Sequence, residues 1–487
     1  MGLWPWSKRK KVQAAGQLML VRARFDAAQT TPDNRKHWAN ADHLSADAAA
    51  SPEVRRILRN RARYEVANNS YARGIVLTLA NDVVGTGPRL QMLLGEGLDD
   101  AGDQPTPNQI IEREFAAWAK AIDLPGKLRT MRMARAQDGE AFALLFSNGG
   151  LDSPIKLDIR LVEADQVTTP DLSLVKPGAI DGIVFDEFGN PKEYHVLKEH
   201  PGGDKAALSM QYDRVPAESM IHWFRADRPG QSRGLPDILP ALPLFAQLRR
   251  YTLAVIAAAE SAANIAVLMK TNAPAGGEAA EVEPMTEMEF APNMAVFTPE
   301  GWEPSQVKAE QPATTYDMFK REILNEIARC LNMPYNIAAC NSSGYNYASG
   351  RLDHQTYFKS IRVEQADLEA RVLDRILTAW LAEAVKVFGL GDLEDTPHQW
   401  FWDGHEHVDP LKEASAQATR LASNTTTLAA EYARQGKDWE TELRQRAKEV
   451  ALIEELGLTS AQAAPQAPAP SDEKPDREDQ EEDSAAA

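Results

Sequence analysis

Cysteine is nearly absent: the 487 residues contain only Cys330 and Cys340. Two thiols cannot build a disulfide framework or a cysteine-rich zinc site, so a reducing compartment is the expectation and both read as small buried residues. Long apolar runs are absent too. The most apolar window, Tyr251 to Met269, contains Glu260, Ser261 and Asn264, which argues against a transmembrane span. Met1-Gly2-Leu3-Trp4-Pro5-Trp6 has neither an unbroken apolar stretch nor a small-residue cleavage site, so no secretory signal is expected, and Trp6 breaks the myristoylation pattern. Excess positive charge is also missing. With 71 acidic and 53 basic residues the net charge is −18. That balance opposes a protein that grips nucleic acid by neutralising phosphates, but not one past which nucleic acid slides. No G-x-x-x-x-G-K-[ST] loop occurs, and Gly85-Thr86-Gly87 lacks the third glycine of a dinucleotide fingerprint, so nucleotide hydrolysis has no support.

What is present is an ordinary globular composition, 43% hydrophobic and 25% charged, long enough for two to four domains. Residues 1–50 begin with basic side chains, show no sustained periodicity and read as an arm. From Ser51-Pro52-Glu53 a helical pattern runs to about Val84, with Ile57, Tyr64, Ala67, Tyr71, Ile75 and Leu79 on its stripe, and Gly85-Thr86-Gly87-Pro88 ends it. Further helices are predicted over 108–121, with Ile111, Phe115 and Trp118 inward, and around 128–136. Short β-forming runs follow at 140–146, 156–162, 180–185, 193–197 and 220–224, with Asp186-Glu187-Phe188-Gly189-Asn190 as a hairpin loop. After Pro236, Pro240 and Pro243 comes an Ala-rich stretch to Lys270, read as one helix of about 27 residues. A Glu- and Met-rich insert reaches Pro312. A returning helix spans 315–332 with Phe319, Ile323, Ile327 and Leu331 on one face, then a loop at 334–350 and a helix from Arg351 to about Val387. Two or three helices are expected in 398–460. Residues 461–487 read as a disordered acidic tail.

The motifs offer little chemistry. Gly230-Gln231-Ser232-Arg233-Gly234 matches the G-x-S-x-G of a nucleophile elbow, but Arg225 to Gly230, including Pro229, separates it from the preceding strand and Pro236 delays the next helix. It reads as a loop. A serine hydrolase using Ser232 with a histidine such as His222 is the alternative function. His405-Glu406-His407, near Asp403 and Asp409, lacks the i, i+4 spacing of a zincin. Asp138, Glu140, Glu163 and Asp165 are metal-capable, yet carboxylates on short strands more often face water or cap turns. No metal and no cofactor is expected. Arg55, Arg56, Arg59, Arg61 and Arg63 could meet phosphate, neighbouring subunits or carboxylates equally well. A helical adaptor that binds DNA directly would need salt-dependent affinity, which the acidic balance opposes. The succession of helix, insert, helix, loop and helix over 241–387 favours a structural or assembly role.

Six segments in order resemble the lambda-type family of tailed-bacteriophage portal proteins: RARYEVANNSYARGIVLTLANDVVGTGPRLQ (61–91), RLVEADQV (160–167), GIVFDEFGNPKEYHV (182–196), MIHWFRADRPGQSRGLPDILPAL (220–242), NMPYNIAACNSSGYNYASGR (332–351) and VDPLKEA (408–414). The resemblance implies an α+β portal fold, mainly helical with a small antiparallel β unit. It implies a ring, typically a dodecamer, at one capsid vertex of a virion, assembled in the bacterial host cytoplasm. On this reading 51–240 and 352–395 form the wing, 241–270 and 313–333 the stem helices, 271–312 the clip, 334–351 the tunnel loop and 396–460 the crown.

The resemblance further implies double-stranded DNA passing through a channel without sequence recognition and without catalysis. Implied protein partners are the terminase large subunit, major capsid and scaffold proteins, and head-completion or connector proteins. Asn336, Asn341, Ser342, Ser343, Tyr345 and Ser349 would line the tunnel loop with neutral groups that touch DNA without gripping it. Arg249, Arg250, Lys320 and Arg321 would be basic stem positions facing the channel or a neighbour. Met285, Met288 and Phe290 would be clip contacts for adjoining rings. Twelve such chains would carry about −200, which repels phosphate from most of the surface. Trimming during head maturation, seen in some relatives, would fall in the basic arm of residues 1–24.

Overall fold

The computed structural model describes residues 31–94, 106–169, 178–204, 211–264, 268–271, 302–305, 313–390, 396–404 and 410–458. A short helix α1 (Ala46–Ala49) precedes α2 (Pro52–Asn68) and α3 (Ser70–Val84). The predicted single helix over 51–84 is therefore two. Asn69 takes an extended backbone and its side chain accepts from the N–H groups of Tyr71 (3.0 Å) and Ala72 (3.4 Å), closing one helix and capping the next. After β1 (Arg89–Met92), helix α4 (Pro107–Ala121) opens on a reciprocal cap between Thr106 and Gln109, and it buries Ile111, Phe115 and Trp118 as their spacing predicts. Helix α5 (Leu124–Asp138) begins earlier than the pattern indicates, because the Asp123 carboxylate accepts from the Gly126 N–H.

The β unit separates into two antiparallel sheets. Strands β2 (Glu140–Ser147), β3 (Leu157–Val162) and β8 (Met220–Phe224) form one in the order β3-β2-β8. The other has the order β4-β5-β6-β7, from β4 (Ala179–Ile180), β5 (Ile183–Phe185), β6 (Pro191–Leu197) and β7 (Tyr212–Pro216). The β5–β6 hairpin turns at Asp186 to Asn190 as expected. The predicted 180–185 strand is interrupted by Asp181 and Gly182, both at positive φ.

Helix α6 (Leu242–Asn264) has 23 residues rather than about 27. Leu268–Thr271, read as its last turns, is instead strand β9, paired antiparallel with β10 (Trp302–Ser305). Helix α7 (Ala313–Arg329) then returns. A four-residue helix α8 (Tyr335–Ala338) leads to α9 (Tyr347–Leu368), which passes through a π turn at Glu369–Leu373 into α10 (Asp374–Phe388). Strand β11 (His398–Phe401) pairs with β1 across some three hundred residues, with Arg89 opposite Phe401. It thereby joins the segment expected to begin the crown to one expected to belong to the wing. Three helices, α11 (Pro410–Ala422), α12 (Leu428–Arg434) and α13 (Trp439–Glu455), complete the described chain. The basic start, the insert at 272–301, His405 to Asp409 and the acidic tail lie outside the described residues.

One core spans α3, α4, α5, the β3-β2-β8 sheet, the start of α6, the end of α7 and α9 to α10. Phe115 sits at its centre, its ring 5.3 Å from Trp118, 5.4 Å from Trp380 and 5.7 Å from Trp400. Helix α2 departs from the predicted stripe. Ile57 is 45% exposed and Tyr64 56% exposed, while Arg55 and Arg59 are 1% and 5% exposed. The helix turns its charges inward because the neighbouring surface supplies carboxylates. Cys330 is half-buried and Cys340 exposed, the latter at positive φ in the turn after α8. The expectation of two buried thiols therefore fails for Cys340.

Candidate functional site

The loop between β8 and α6 carries Gly230-Gln231-Ser232-Arg233-Gly234, and its buried side chain is the arginine. Arg233 is 0% exposed. Its Nε donates to both Glu140 oxygens (3.0 and 2.8 Å) and Nη2 donates to Oε1 (2.7 Å), while Nη1 donates to the Val167 carbonyl (3.0 Å) and meets Asp181 (3.2 Å). Glu140 opens β2 and also receives the Gly234 N–H (3.1 Å) and lies 3.0 Å from His222 Nε2. Burial alone would raise the Glu140 carboxyl, but the Arg233 charge and the bonds from His222 and Arg233 outweigh it and hold it well below the usual range. His222 moves the other way. Burial pushes it down, and its ring stacks on Phe142 at 4.2 Å.

Around this pair, α2 contributes arginines one turn apart. Arg55 bonds Asp181 and the Ala50 carbonyl, Arg59 donates to Asp165 (2.9 Å), and Arg63 meets Asp138 (2.6 Å) and Asp165 (2.8 Å). The readings left open for the arginine cluster divide by position. Arg55, Arg59 and Arg63 meet carboxylates, whereas Arg56 and Arg61 point outward, with no ion-pair partner among the described residues. Glu163, Asp165 and His200 place ligand atoms within 4.8 Å of one another, but the Arg63 guanidinium already contacts the two carboxylates.

The Ser232 hydroxyl donates to Asp47 Oδ2 (2.9 Å) and its N–H to Asp47 Oδ1 (2.8 Å). Serine and His222 thus belong to different contacts, the histidine bonding Glu140, and nothing supports the hydrolase reading. Gly234 is explained by packing. A Cβ there would lie 2.0 Å from the Gly139 carbonyl oxygen at the end of α5.

Just beyond, Asp237 is enclosed by Arg132 (3.0 Å), Arg135 (3.9 Å) and Arg225 (3.2 Å). Arg132 and Arg135 also reach Glu364 on α9, and Trp223 Nε1 donates to Asp367 (2.8 Å). The chain entering α6 is therefore tied on one side to β2 and on the other to α5 and α9. Above this joint Tyr251 packs on Phe319 (4.6 Å) and Tyr316 (5.7 Å), and Thr252 bonds the Tyr316 hydroxyl (3.1 Å), pairing α6 with α7.

Of the four predicted stem cations, three have partners within the chain. Arg249 donates to Glu65 (2.7 Å) and lies over the Tyr64 ring, Lys320 lies over Tyr71 and Tyr316, and Arg321 pairs with Asp317 (3.5 Å). Arg250 is exposed, with no ion-pair partner among the described residues. Tyr71 chiefly raises the Lys320 ammonium.

The segment read as a loop at 334–351 is partly helical, since α9 starts at Tyr347 with Asn346 as its cap. Asn336 lies half-buried, 2.8 Å from His354. Asn341 accepts from the Ser343 N–H (2.9 Å), and the Ser349 N–H donates to Asn346 (2.8 Å). Ser342, Ser343 and Ser349 are exposed, and burial leads the causes that raise the half-buried Tyr345 phenol. Met285, Met288 and Phe290 lie outside the described residues. The structure therefore groups Asn336, Asn341, Ser342, Ser343, Tyr345 and Ser349 in one turn region next to the C-terminal end of α7, but does not merge them with the cations of α6 and α7. Sequence reasoning missed Asp237 altogether and misjudged Glu140, weighed there only as a carboxylate facing water or capping a turn, and Arg233, passed over within the serine motif. Their one signal was an arginine between Ser232 and Gly234 in a motif chosen for its serine.

Residues 32–365 match the family model of the phage portal protein, lambda family. A protein named "Probable portal protein" from Halomonas phage phiHAP-1 is 24% identical over 500 residues, covering 96% of this chain and 93% of that protein. Among solved structures, the neck of a native gene transfer agent particle computed with C12 symmetry aligns over 80% of this chain and 94% of its own, at 11% identity and a TM-score of 0.42. A crystal structure of a HK97-family phage portal protein from Corynebacterium diphtheriae aligns over 73% and 97%, at 12% identity and a TM-score of 0.29. With the family model matching well over half of its residues, the chain belongs to the lambda family of phage portal proteins.

Proposed function

We propose that this chain forms a ring at one capsid vertex of a virion, through which double-stranded DNA is packaged and ejected, and that terminase and head–tail connector proteins dock on it. The observation that supports it best is the α6/α7 pair. These helices are joined by the β9–β10 strands and expose Leu253, Ile256, Met318 and Phe319 in the single protomer. Apolar side chains on two adjacent helices need cover, and further copies of the chain supply it. The function is geometric: interfaces hold the ring, and neutral Asn341, Ser342, Ser343 and Ser349 offer DNA hydrogen bonds without fixed charge. Asn336 and Tyr345 support that turn from its half-buried side. Basic Arg250 is the stem position free to face the channel or a neighbour, and Met285, Met288 and Phe290 contact the adjoining ring.

Complementation of portal-deficient heads tests the proposal. The wild-type gene restores DNA-filled heads counted by electron microscopy. Empty heads despite normal expression and ring formation would overturn the packaging role.

A further inference from the structure

Two unpartnered surfaces of this chain complement each other. The first lies on the outward face of α2. There Leu58, Arg61, Tyr64, Leu242, Pro243 and Ala246 line a groove of about 530 Å³ between α2 and the start of α6. Its floor is fixed, because Arg249 stacks behind Tyr64 and pairs with Glu65. Arg61 stands on its wall with Ile57 one helical turn before it, and Arg56 is exposed on the same helix. Neither guanidinium has an ion-pair partner among the described residues. This is the face left largely apolar when α2 turned Arg55 and Arg59 inward; Glu65 also lines the groove, but its charge is paired with Arg249, which leaves Arg61 as the unpaired charge there.

The second surface is the tip of the β5–β6 hairpin. Phe188 is 81% exposed there, between Glu187 and the turn glycine. The tip is rigid: the Asp186 carboxylate accepts from the N–H groups of Phe188 (2.9 Å) and Asn190 (2.8 Å) and from the Asn190 side chain (3.1 Å). Those bonds hold an aromatic ring outward beside Glu187, which is exposed and has no ion-pair partner among the described residues. A preordered aromatic side chain flanked by charge is the composition of an interface anchor, since little entropy remains to be lost on docking.

We infer that the Phe188 hairpin tip of one protomer inserts into the α2/α6 groove of the next, with Glu187 facing Arg61. This deepens the ring reading and rests on it. The two surfaces are different, so the contact is heterologous, and repeated around an axis it builds a ring rather than a two-fold dimer. Charge complementarity selects a second copy as the occupant: an acidic aromatic knob and a basic apolar groove occur on the same chain. The basic segment of residues 1–24 would place like charge against Arg61.

The test uses the full-length chain in a Cys330→Ser, Cys340→Ser background, with Phe188→Cys and Tyr64→Cys introduced together and singly. A short bismaleimide is added, and assembly mass is read by light scattering before treatment. The inference expects the doubly substituted protein to give a ladder of cross-linked multimers, and each single variant to give none. In the original background Phe188→Ala and Arg61→Glu each raise the concentration for half-assembly at least ten-fold, and Glu187→Lys with Arg61→Glu recovers most of that loss. Rings that assemble normally in both single variants, or a Tyr64→Cys thiol that cross-links only within its own chain, would overturn this contact while leaving the ring reading intact. Parent protein that never exceeds the mass of one chain would overturn the ring reading and this contact with it.

Discussion

Replacing Arg233 with Met removes the cation that the buried cluster is built around. Its guanidinium supplies three contacts of 2.7 to 3.0 Å to Glu140 and satisfies the Val167 carbonyl and Asp181. Methionine fills much of the volume but leaves Glu140 buried with only His222, Arg59 and the Gly234 N–H. Stripping one partner from a buried pair costs about 3–5 kcal/mol, because the remaining charge is uncompensated. The loss must also depend on pH. In the wild type the Glu140 carboxyl is held below its ordinary value, so its contribution is complete above about pH 4.5 and disappears only as pH falls further. Without Arg233 burial dominates and the folded-state value moves above the unfolded one. Stability then declines as pH rises from about 4.5. Urea denaturation followed by tryptophan fluorescence, with buried Trp223 on the strand that carries His222, measures both effects. A loss below about 1 kcal/mol, or one equal at pH 5 and pH 8, would refute the assignment of Arg233 as the compensating charge. Glu140→Gln added to Arg233→Met should recover part of the loss and remove its pH dependence.

Glu112 on α4 accepts from the Met92 N–H (2.7 Å), and burial, with Asp438 and Glu440 nearby, pushes its carboxyl up to about 7. Its ionisation therefore costs stability progressively as pH rises from about 4.5 to 7, and Glu112→Gln should stabilise at pH 8 but not at pH 4.5. The full shift would correspond to about 3 kcal/mol, and partial hydration of the carboxylate reduces the expected gain to about 1 kcal/mol, read from urea midpoints at the two pH values. Gly234→Ala forces a methyl to 2.0 Å from the Gly139 carbonyl oxygen, where backbone meets backbone. It should cost about 3 kcal/mol or more, and a soluble variant with unchanged melting temperature would contradict the packing account.

The parts of the fold legible in the sequence were those where local pattern and tertiary environment agree. Ile111, Phe115 and Trp118 recur at helical spacing and all three are buried, and Asp186 to Asn190 form the turn their composition indicates. Helix α2 was misread because periodicity says which residues share a face, not which face turns inward; Arg55 and Arg59 are inside only because Glu140, Asp165 and Asp181 wait there. The apolar run Val267-Leu268-Met269 continued the α6 pattern, yet a run that short suits a strand equally, and pairing with Trp302–Ser305 decides it. Strand β1 and its partner β11 carry no local signal of each other. At the candidate site the motif drew attention to Ser232, whereas the buried group is its neighbour Arg233. Segment order, by contrast, was enough to recognise the portal family before any geometry.

Electron microscopy of the purified full-length protein, with mass measured by light scattering in the same buffer and with scaffold protein present, tests the central claim most directly. The account predicts rings with a central hole and a mass near twelve times 53.7 kDa. A monodisperse particle of one or two chains without a hole, unchanged across concentration and with scaffold in excess, would contradict it.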